Sequence, residues 1–290
     1  MKVSTQPPET DLILPTPDGA DWDGLTIHTH YFGFSIPQQA LSAFIYLRAQ
    51  PVYGLCSGGV CLFRGLDNQR PLDCEHIDYR NTMPWPTMTA NSFTTQNGLR
   101  IEFTEPGSAV DVSYRSIERD VSFDLRLTAI TSLLVRGHVM PGEDRDSDRA
   151  AAPGGSEQFM HCTGTLTLGE ANYSVDCYPI RDRSWRQVRT EAPNDYPPVG
   201  WTPMCFGPDL MFNQVGFEDP AGDPPHLEEP LHPSCGRASP LLRLRRRRRR
   251  RATVDVRAAH RARAPPRHWW CNAAGRSRPR RGRGHAHLSR

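Results

Sequence analysis

Lysine is almost missing from this chain: 34 of its 35 basic residues are arginine, and Lys2 is the one exception. No stretch approaches the roughly 18 apolar residues of a membrane span. The opening residues, with Pro7, Pro8, Glu9 and Asp11, hold no apolar segment of the kind a secretory signal needs. The eight cysteines are dispersed, with Cys56 and Cys61 the closest pair, so neither a CxxC redox site nor a paired-cysteine zinc spacing occurs. Glycine-rich phosphate loops, the HExxH zinc motif and the GxSxG nucleophile motif are missing too. These absences point to a cytoplasmic chain with reduced thiols, no membrane span, no metal, no organic cofactor and no defined protein partner.

The formal charge of +3 over 290 residues is an average of two unlike parts. Residues 230–290 hold 19 Arg and a single acid, Asp255, whereas residues 1–229 hold 16 basic and 31 acidic residues. A whole-chain isoelectric point describes neither part.

What is present up to about residue 229 reads as all-β. Residues 1–24, rich in Pro, Thr and Asp, form an irregular lead-in. In residues 25–136, short alternating segments are broken by turn signals. Leu41, Ala43, Ile45 and Leu47 share one face of a period-two strand, as do Val110, Val112 and Tyr114, and again Phe123, Leu125, Leu127 and Ala129. Asn97-Gly98 signals a hairpin with two turn residues, both at positive φ. No amphipathic helix of three turns is found. Seven or eight short strands over this length suggest an antiparallel barrel or sandwich.

Residues 137–156, charged and rich in Ala, Pro and Gly, read as a linker to a second β unit at 157–229. That unit contains the clearest hairpin of the chain, 163–168 and 171–176 around Gly169-Glu170, with glycine at the first position of a type II′ turn. This register pairs Leu168 with Ala171, Leu166 with Tyr173 and Gly164 with Val175 on one apolar face, and sets Cys162 opposite Cys177. A disulfide there is geometrically feasible, but a cytoplasmic chain is expected to keep the thiols reduced.

Beyond Glu229 the text changes. Residues 230–290 contain no Lys, Glu, Gln, Ile, Phe, Tyr or Met. Such a segment buries too little apolar area to offset its conformational entropy, and disorder is expected. Two readings stand. A basic arm would neutralise nucleic-acid phosphates through Arg245, Arg246, Arg247, Arg248, Arg249, Arg250 and Arg251, with Trp269 and Trp270 as stacking residues. The preferred reading is text from a shifted reading frame of a GC-rich gene, because the change falls where a β unit is half built. Polyanion binding follows from the charge either way.

Chemistry concentrates in residues 176–185, DCYPIRDRSW. An arginine beside Asp182 would hold it ionised. A general acid at Asp182 would need an apolar wall between it and Arg181 and Arg183. The alternative is a structural Arg–Asp network closing a barrel end, with Trp185 plugging the interior. His28 and His30 lie on one face of a strand at a spacing that metal sites use, but no further ligands are identifiable beyond the distant Glu75-His76, and ordinary strand residues at a barrel mouth are the expectation. Ser57, Gly58 and Gly59 between Cys56 and Cys61 read as a turn of small residues. Glu157, Gln158 and His161 open the second unit as inward polar groups that could line a pocket.

Glu157-Gln158, TGTL at 163–166, YSVD at 173–176 and RDRSW at 181–185 together resemble the hydroxyneurosporene synthase-like (carotenoid hydratase, AttH-like) superfamily. They look closest to a branch whose signature reads roughly E-Q…G…Y-x-V-D-G…R-D-x-S-W-G. HYFGF at 30–34, SGGV at 57–60, Phe93 with NGL at 97–99, and SFDL at 122–125 are similar to the same branch, so the resemblance spans about residues 25–218. The sequence departs from the pattern at Cys177 and Arg186, where the pattern has glycine.

The resemblance implies two consecutive lipocalin-like antiparallel β-barrels, the second incomplete, with a hydrophobic small molecule (isoprenoid, lipid or polyketide) between or within them. It also implies a cofactor-free hydratase or cyclase as the enzyme class, while carrier and catalyst both stay open. On that basis Asp182 is the candidate acid, Trp185 and Tyr173 are candidate cation-facing aromatics, and Arg181, Arg183, Glu157 and His161 are candidate ligand-binding residues. The alternatives are a nucleic-acid-associated protein acting through its Arg-rich arm, and an inactive product of a frameshifted gene.

Overall fold

The computed structural model describes residues 5–16, 22–68, 70–135, 154–188, 199–217 and 226–227. The expectations for residues 230–290, and most of the linker expected at 137–156, fall outside these residues. Among the described residues the chain is all-β; its only helical elements are short 3-10 turns such as Pro8–Leu12. None is long and apolar enough to cross a membrane.

The strands run in order β1 (Thr26–Ile36), β2 (Leu41–Gln50), β3 (Leu55–Arg64), β4 (His76–Pro84), β5 (Thr87–Met88), β6 (Ser92–Thr94), β7 (Leu99–Glu105), β8 (Ala109–Arg115) and β9 (Val121–Ala129). They continue as β10 (Leu134–Val135), β11 (Gly154–Leu168), β12 (Ala171–Cys177), β13 (Ile180–Val188), β14 (Val199–Cys205), β15 (Met211–Phe217) and β16 (His226–Leu227). The first thirteen form one large curled antiparallel sheet, a half-barrel, in the order β4-β3-β2-β1-β13-β11-β9-β8-β7-β6-β5, with β10 and β12 also on β11. β14, β15 and β16 form a separate three-stranded sheet. Hydrogen bonding does not stop at the connector, because the 15 residues of β11 pair with β9 over 160–168 and with β13 over 154–159.

Period-two alternation explains the core. Leu41, Ala43, Ile45 and Leu47 are buried, as are Val110, Val112 and Tyr114, and Phe123, Leu125 and Leu127. With Phe32, Phe34, Phe93 and Phe103 they fill the concave side of the sheet. Opposed β4 and β8 are tied across this interior. Tyr114 Oη donates to Asp78 Oδ2 (3.1 Å), so its one proton is used, and His76 Nε2–H must be the donor in the 2.9 Å contact to the same oxygen.

The hairpin of β11 and β12 has the expected register, from Leu168 opposite Ala171 to Cys162 opposite Cys177, with Gly169 at φ +59°. Cys162 and Cys177 are free thiols. The Cys162 thiol and the Ser35 N–H (3.3 Å) both bond Cys177 Sγ, holding the Cys177 thiol below its usual range and Cys162 above it.

The turn at Asn97-Gly98 differs from expectation. Thr95 pairs with Leu99, leaving three loop residues, and only Gly98 has positive φ (+84°). This is a tight turn closed by the Gly98 N–H to Thr95 C=O bond, followed by one left-handed glycine. The reason is the Asn97 side chain, which is fully buried: its Nδ2 donates to Asp78 C=O (3.0 Å) and its Oδ1 accepts from Thr95 Oγ1 (2.6 Å). Asn97 therefore serves the core and does not supply a second left-handed position.

Candidate functional site

β13 decides what can meet what. In an extended strand neighbouring side chains point to opposite faces, so the sequence IRDRSW sorts itself: Arg181, Arg183 and Trp185 enter the concave interior, while Ile180, Asp182 and Ser184 face the convex side.

Inside, Arg181 and Arg183 do not bond the carboxylate between them. Arg181 makes a two-pronged contact to Asp11 (3.1 and 2.7 Å), and its Nε and one terminal nitrogen also donate to Gln158 Oε1 (2.8 and 2.6 Å). Gln158 Nε2 donates to the carbonyls of Gly107 (2.8 Å) and Thr131 (2.7 Å). Arg183 donates to the backbone carbonyls of Asp11 (2.7 Å) and Ile13. Its guanidinium lies 5.6 Å from the Phe103 ring and 5.3 Å from that of Trp185, and burial lowers it to about 10. Asp11 comes from the 3-10 turn Pro8–Leu12 and is completely buried. An Arg–Asp network thus closes one end of the half-barrel, with Asp11 as its carboxylate. Trp185 seals it by lying across Gly154, where an added Cβ would come within 2.5 Å of the indole.

His28 and His30 share this interior. His28 stacks on Trp22 (5.4 Å between centroids), and His30 packs against Phe93 (5.1 Å) and Phe103 (5.9 Å). Burial, then Arg183 and Arg186, lower His28 to about 3; burial, then Arg183, His28 and Arg181, lower His30 well below its usual value. Both are neutral imidazoles beside guanidiniums, a poor setting for a metal cation. Among the described residues no three His, Cys, Asp or Glu side chains cluster to hold one.

Below an unfolded-state value of about 6.5 the unfolded chain takes up protons that the folded one refuses, so stability rises with pH across this window. Lowering the pH from about 7 to 5 should therefore cost up to about 1.4 kcal/mol per unit for each histidine. Urea midpoints at several pH values test this; a flat profile would refute it.

At Arg186, where the resembled pattern has glycine, the backbone is left-handed (φ +53°), a conformation costing a non-glycine residue about 1–2 kcal/mol. It sits where the β1–β13 register slips between Ile27 and Thr29, and its guanidinium lies 5.7 Å from the Trp22 ring.

On the convex side, Asp182 is directly opposite Glu157 of β11 and Tyr31 of β1. β14 and β15 cover this patch: Phe159, Ile180 and Met211 form a small buried cluster, with Tyr31, Ile130, Trp201 and Cys205 packed against it. Asn213 Nδ2 donates to Glu157 Oε2 (2.7 Å), and both residues are buried. Burial, and then Asp182, raise the Tyr31 hydroxyl. Aromatic rings continue away from the carboxylates, from Trp201 to Tyr31 (5.0 Å), to Phe44 (5.4 Å) and on to Tyr46 (5.7 Å). Trp201 Nε1 and Asn213 Oδ1 are buried without a hydrogen-bond partner among the described residues.

The structure therefore brings Glu157 and Asp182 together and sets Arg181, Arg183 and Trp185 on the other face of the same strand. It does not bring Tyr173 or His161 to either group. Tyr173 packs at the β11–β12 hairpin, beside Arg64. His161 is on an accessible face, bonded to Asp176 (2.7 Å) and stacked on Tyr178 (4.8 Å). Tyr31, Phe44, Trp201, Asn213 and Asp11 were not singled out by the sequence; Tyr31 lay within the HYFGF string, and the others carried no local signal. A concavity of about 500 Å³ over β7, β8, β9 and β11 is lined by Arg100, Glu102, Asp111, Asp124 and Arg126. Its charges pair with one another at the surface, Arg126 with Asp111 (3.0 Å) and Arg100 with Glu102 (3.0 Å).

Residues 15–227 match a family described as a domain of unknown function, DUF7064. No curated protein matches the chain.

Proposed function

The chain belongs to the DUF7064 family, and we propose that its function is to hold a hydrophobic small molecule, of isoprenoid, lipid or polyketide class, against the aromatic row beside Glu157 and Asp182. One observation carries this reading: the two carboxylates sit opposite each other on the convex side, among Tyr31, Trp201, Phe159 and Ile180, with the sheet between them and the guanidiniums of Arg181 and Arg183. That is the separation a proton-donating Asp182 requires. The resemblance to the carotenoid hydratases, with their lipocalin-like barrels, points the same way, and a reducing cytoplasm fits the free thiols of Cys162 and Cys177, which face each other.

As a catalyst, the protein would use Asp182 to transfer a proton to one carbon of a C=C bond. The cation on the other carbon would be held by the faces of Tyr31 and Trp201. Water would add to that carbon and return its proton to the carboxylate, so that hydration needs no metal or organic cofactor. Attack by a second C=C bond would instead close a ring, and the cation so formed would lose a neighbouring proton to the carboxylate to give an isomer.

The test is incubation with an acyclic polyene and mass analysis of the products for addition of water or for an isomer of equal mass. Asp182→Asn should lower turnover by about 10²–10⁴-fold while leaving quenching of Trp201 fluorescence by the polyene intact. Unchanged turnover sinks the acid role. Polyene recovered unaltered after long incubation, with quenching retained, makes the protein a carrier.

A second reading, polyanion binding by residues 230–290, is favoured by their 19 arginines against one acid.

A further inference from the structure

Four ring nitrogens, Nδ1 and Nε2 of both His28 and His30, have no hydrogen-bond partner among the described residues, although each side chain is 1% exposed. The Nε of Arg183, directly opposite His30 on β13, is also buried and without a partner. Buried polar groups are normally bonded, so five orphaned nitrogens on two adjacent strands need an occupant. The charges around them indicate its sign. Among the described residues on the concave face two guanidiniums, Arg181 and Arg183, stand against one carboxylate, Asp11. Asp182 acts on Arg183 from behind the sheet. A metal cation would be repelled. Water could bond the nitrogens but would leave the excess positive charge buried. An anion accepts the single N–H of each neutral imidazole and the Nε–H of Arg183, three of the five, and offsets that charge; the two bare ring nitrogens are left for a water to donate to.

We propose that His28, His30 and Arg183 form a receiving site for the carboxylate of an amphipathic molecule. The apolar part is called for because the ring of His30 is walled by Phe93 and Phe103 and the next residue on the same face is Phe32. Trp22, half-buried and stacked on His28, forms the outer wall. This site is on the opposite face of β1 and β13 from Asp182, so either can fail without the other.

The experiment titrates the full chain with dodecanoate, dodecanol and acetate at constant ionic strength, following binding by calorimetry and the imidazole nitrogens by NMR. Dodecanoate should bind saturably and shift the resonances of two histidines; dodecanol should bind about tenfold more weakly, for want of the charge-assisted bonds. His30→Phe keeps a ring in place and should lose the same factor. If that variant does not fold, the resonance shifts in the unaltered chain decide. Equal affinity for dodecanoate and dodecanol, or unmoved imidazole signals, would overturn the proposal. Acetate binding as tightly as dodecanoate would keep the carboxylate and overturn the amphipathic part.

Discussion

Asp11→Ala is expected to remove about 3–5 kcal/mol of folding stability, the range found when one partner of a buried ion pair is deleted. Among the described residues Asp11 is the only carboxylate that bonds Arg181 (2.7 Å), and both side chains are almost wholly out of water. Deleting it leaves two buried guanidiniums side by side, frees the Gly107 N–H that now donates to Asp11 Oδ2 (2.6 Å), and loosens the turn that covers this end of the half-barrel. Domains of this kind have only about 5–15 kcal/mol in total, so the loss is a large share. Asp11→Asn keeps one oxygen to accept from Gly107 and Arg181 but removes the charge and turns an NH2 donor toward the other Arg181 nitrogen, so an intermediate loss is expected. Urea unfolding of both variants measures this. A loss below about 1 kcal/mol for alanine, the level of an exposed pair, would show that the network does not hold the end closed.

Removing residues 240–290 is expected to abolish most of the affinity for duplex DNA. The run of seven arginines at 245–251 could by itself displace about six counterions, which steepens the dependence of binding on salt by about that number. Between about 50 and 200 mM salt the intact chain should therefore lose nearly four orders of magnitude in affinity, roughly 10⁴-fold, and the shortened chain should show little binding to lose. The cut leaves the compact unit of residues 1–239 intact. An unchanged affinity or salt slope would place the polyanion site elsewhere. Binding alone does not show selection for it, because charge acts without selection. Reading the gene across codons 215–290 in all three frames addresses that question. Alternating apolar β text in another frame would mark the arginine text as a frameshift, and ligand screening would then use the corrected chain.

Local pattern made much of the fold legible. The period-two alternation of Leu41 to Leu47 and of Phe123 to Leu127 gives the buried faces directly, and Gly169-Glu170 fixes the register of its hairpin down to Cys162 opposite Cys177. Half of the site chemistry was equally local. Once 180–188 is a strand, Asp182 must part from Arg181 and Arg183, whatever the rest of the chain does. The Asn97-Gly98 turn shows the limit. Its sequence suits a two-residue loop, yet a buried contact from Asn97 to Asp78 on another strand selected a three-residue one.

The sequence by itself determined the all-β class, the hairpin registers set by short turns, the face on which each strand residue lies, and the charge asymmetry of the two ends, because these depend on alternation, turn chemistry and composition over a few residues. Only the tertiary structure decided that Asp11 meets Arg181 across 170 positions of chain, that Glu157 stands opposite Asp182, and that Tyr31, Trp201 and Asn213 surround that pair. Those meetings depend on the order of strands in the sheet and on which face β14 and β15 cover. That order is a global compromise among non-local pairings, and no short window of residues encodes it.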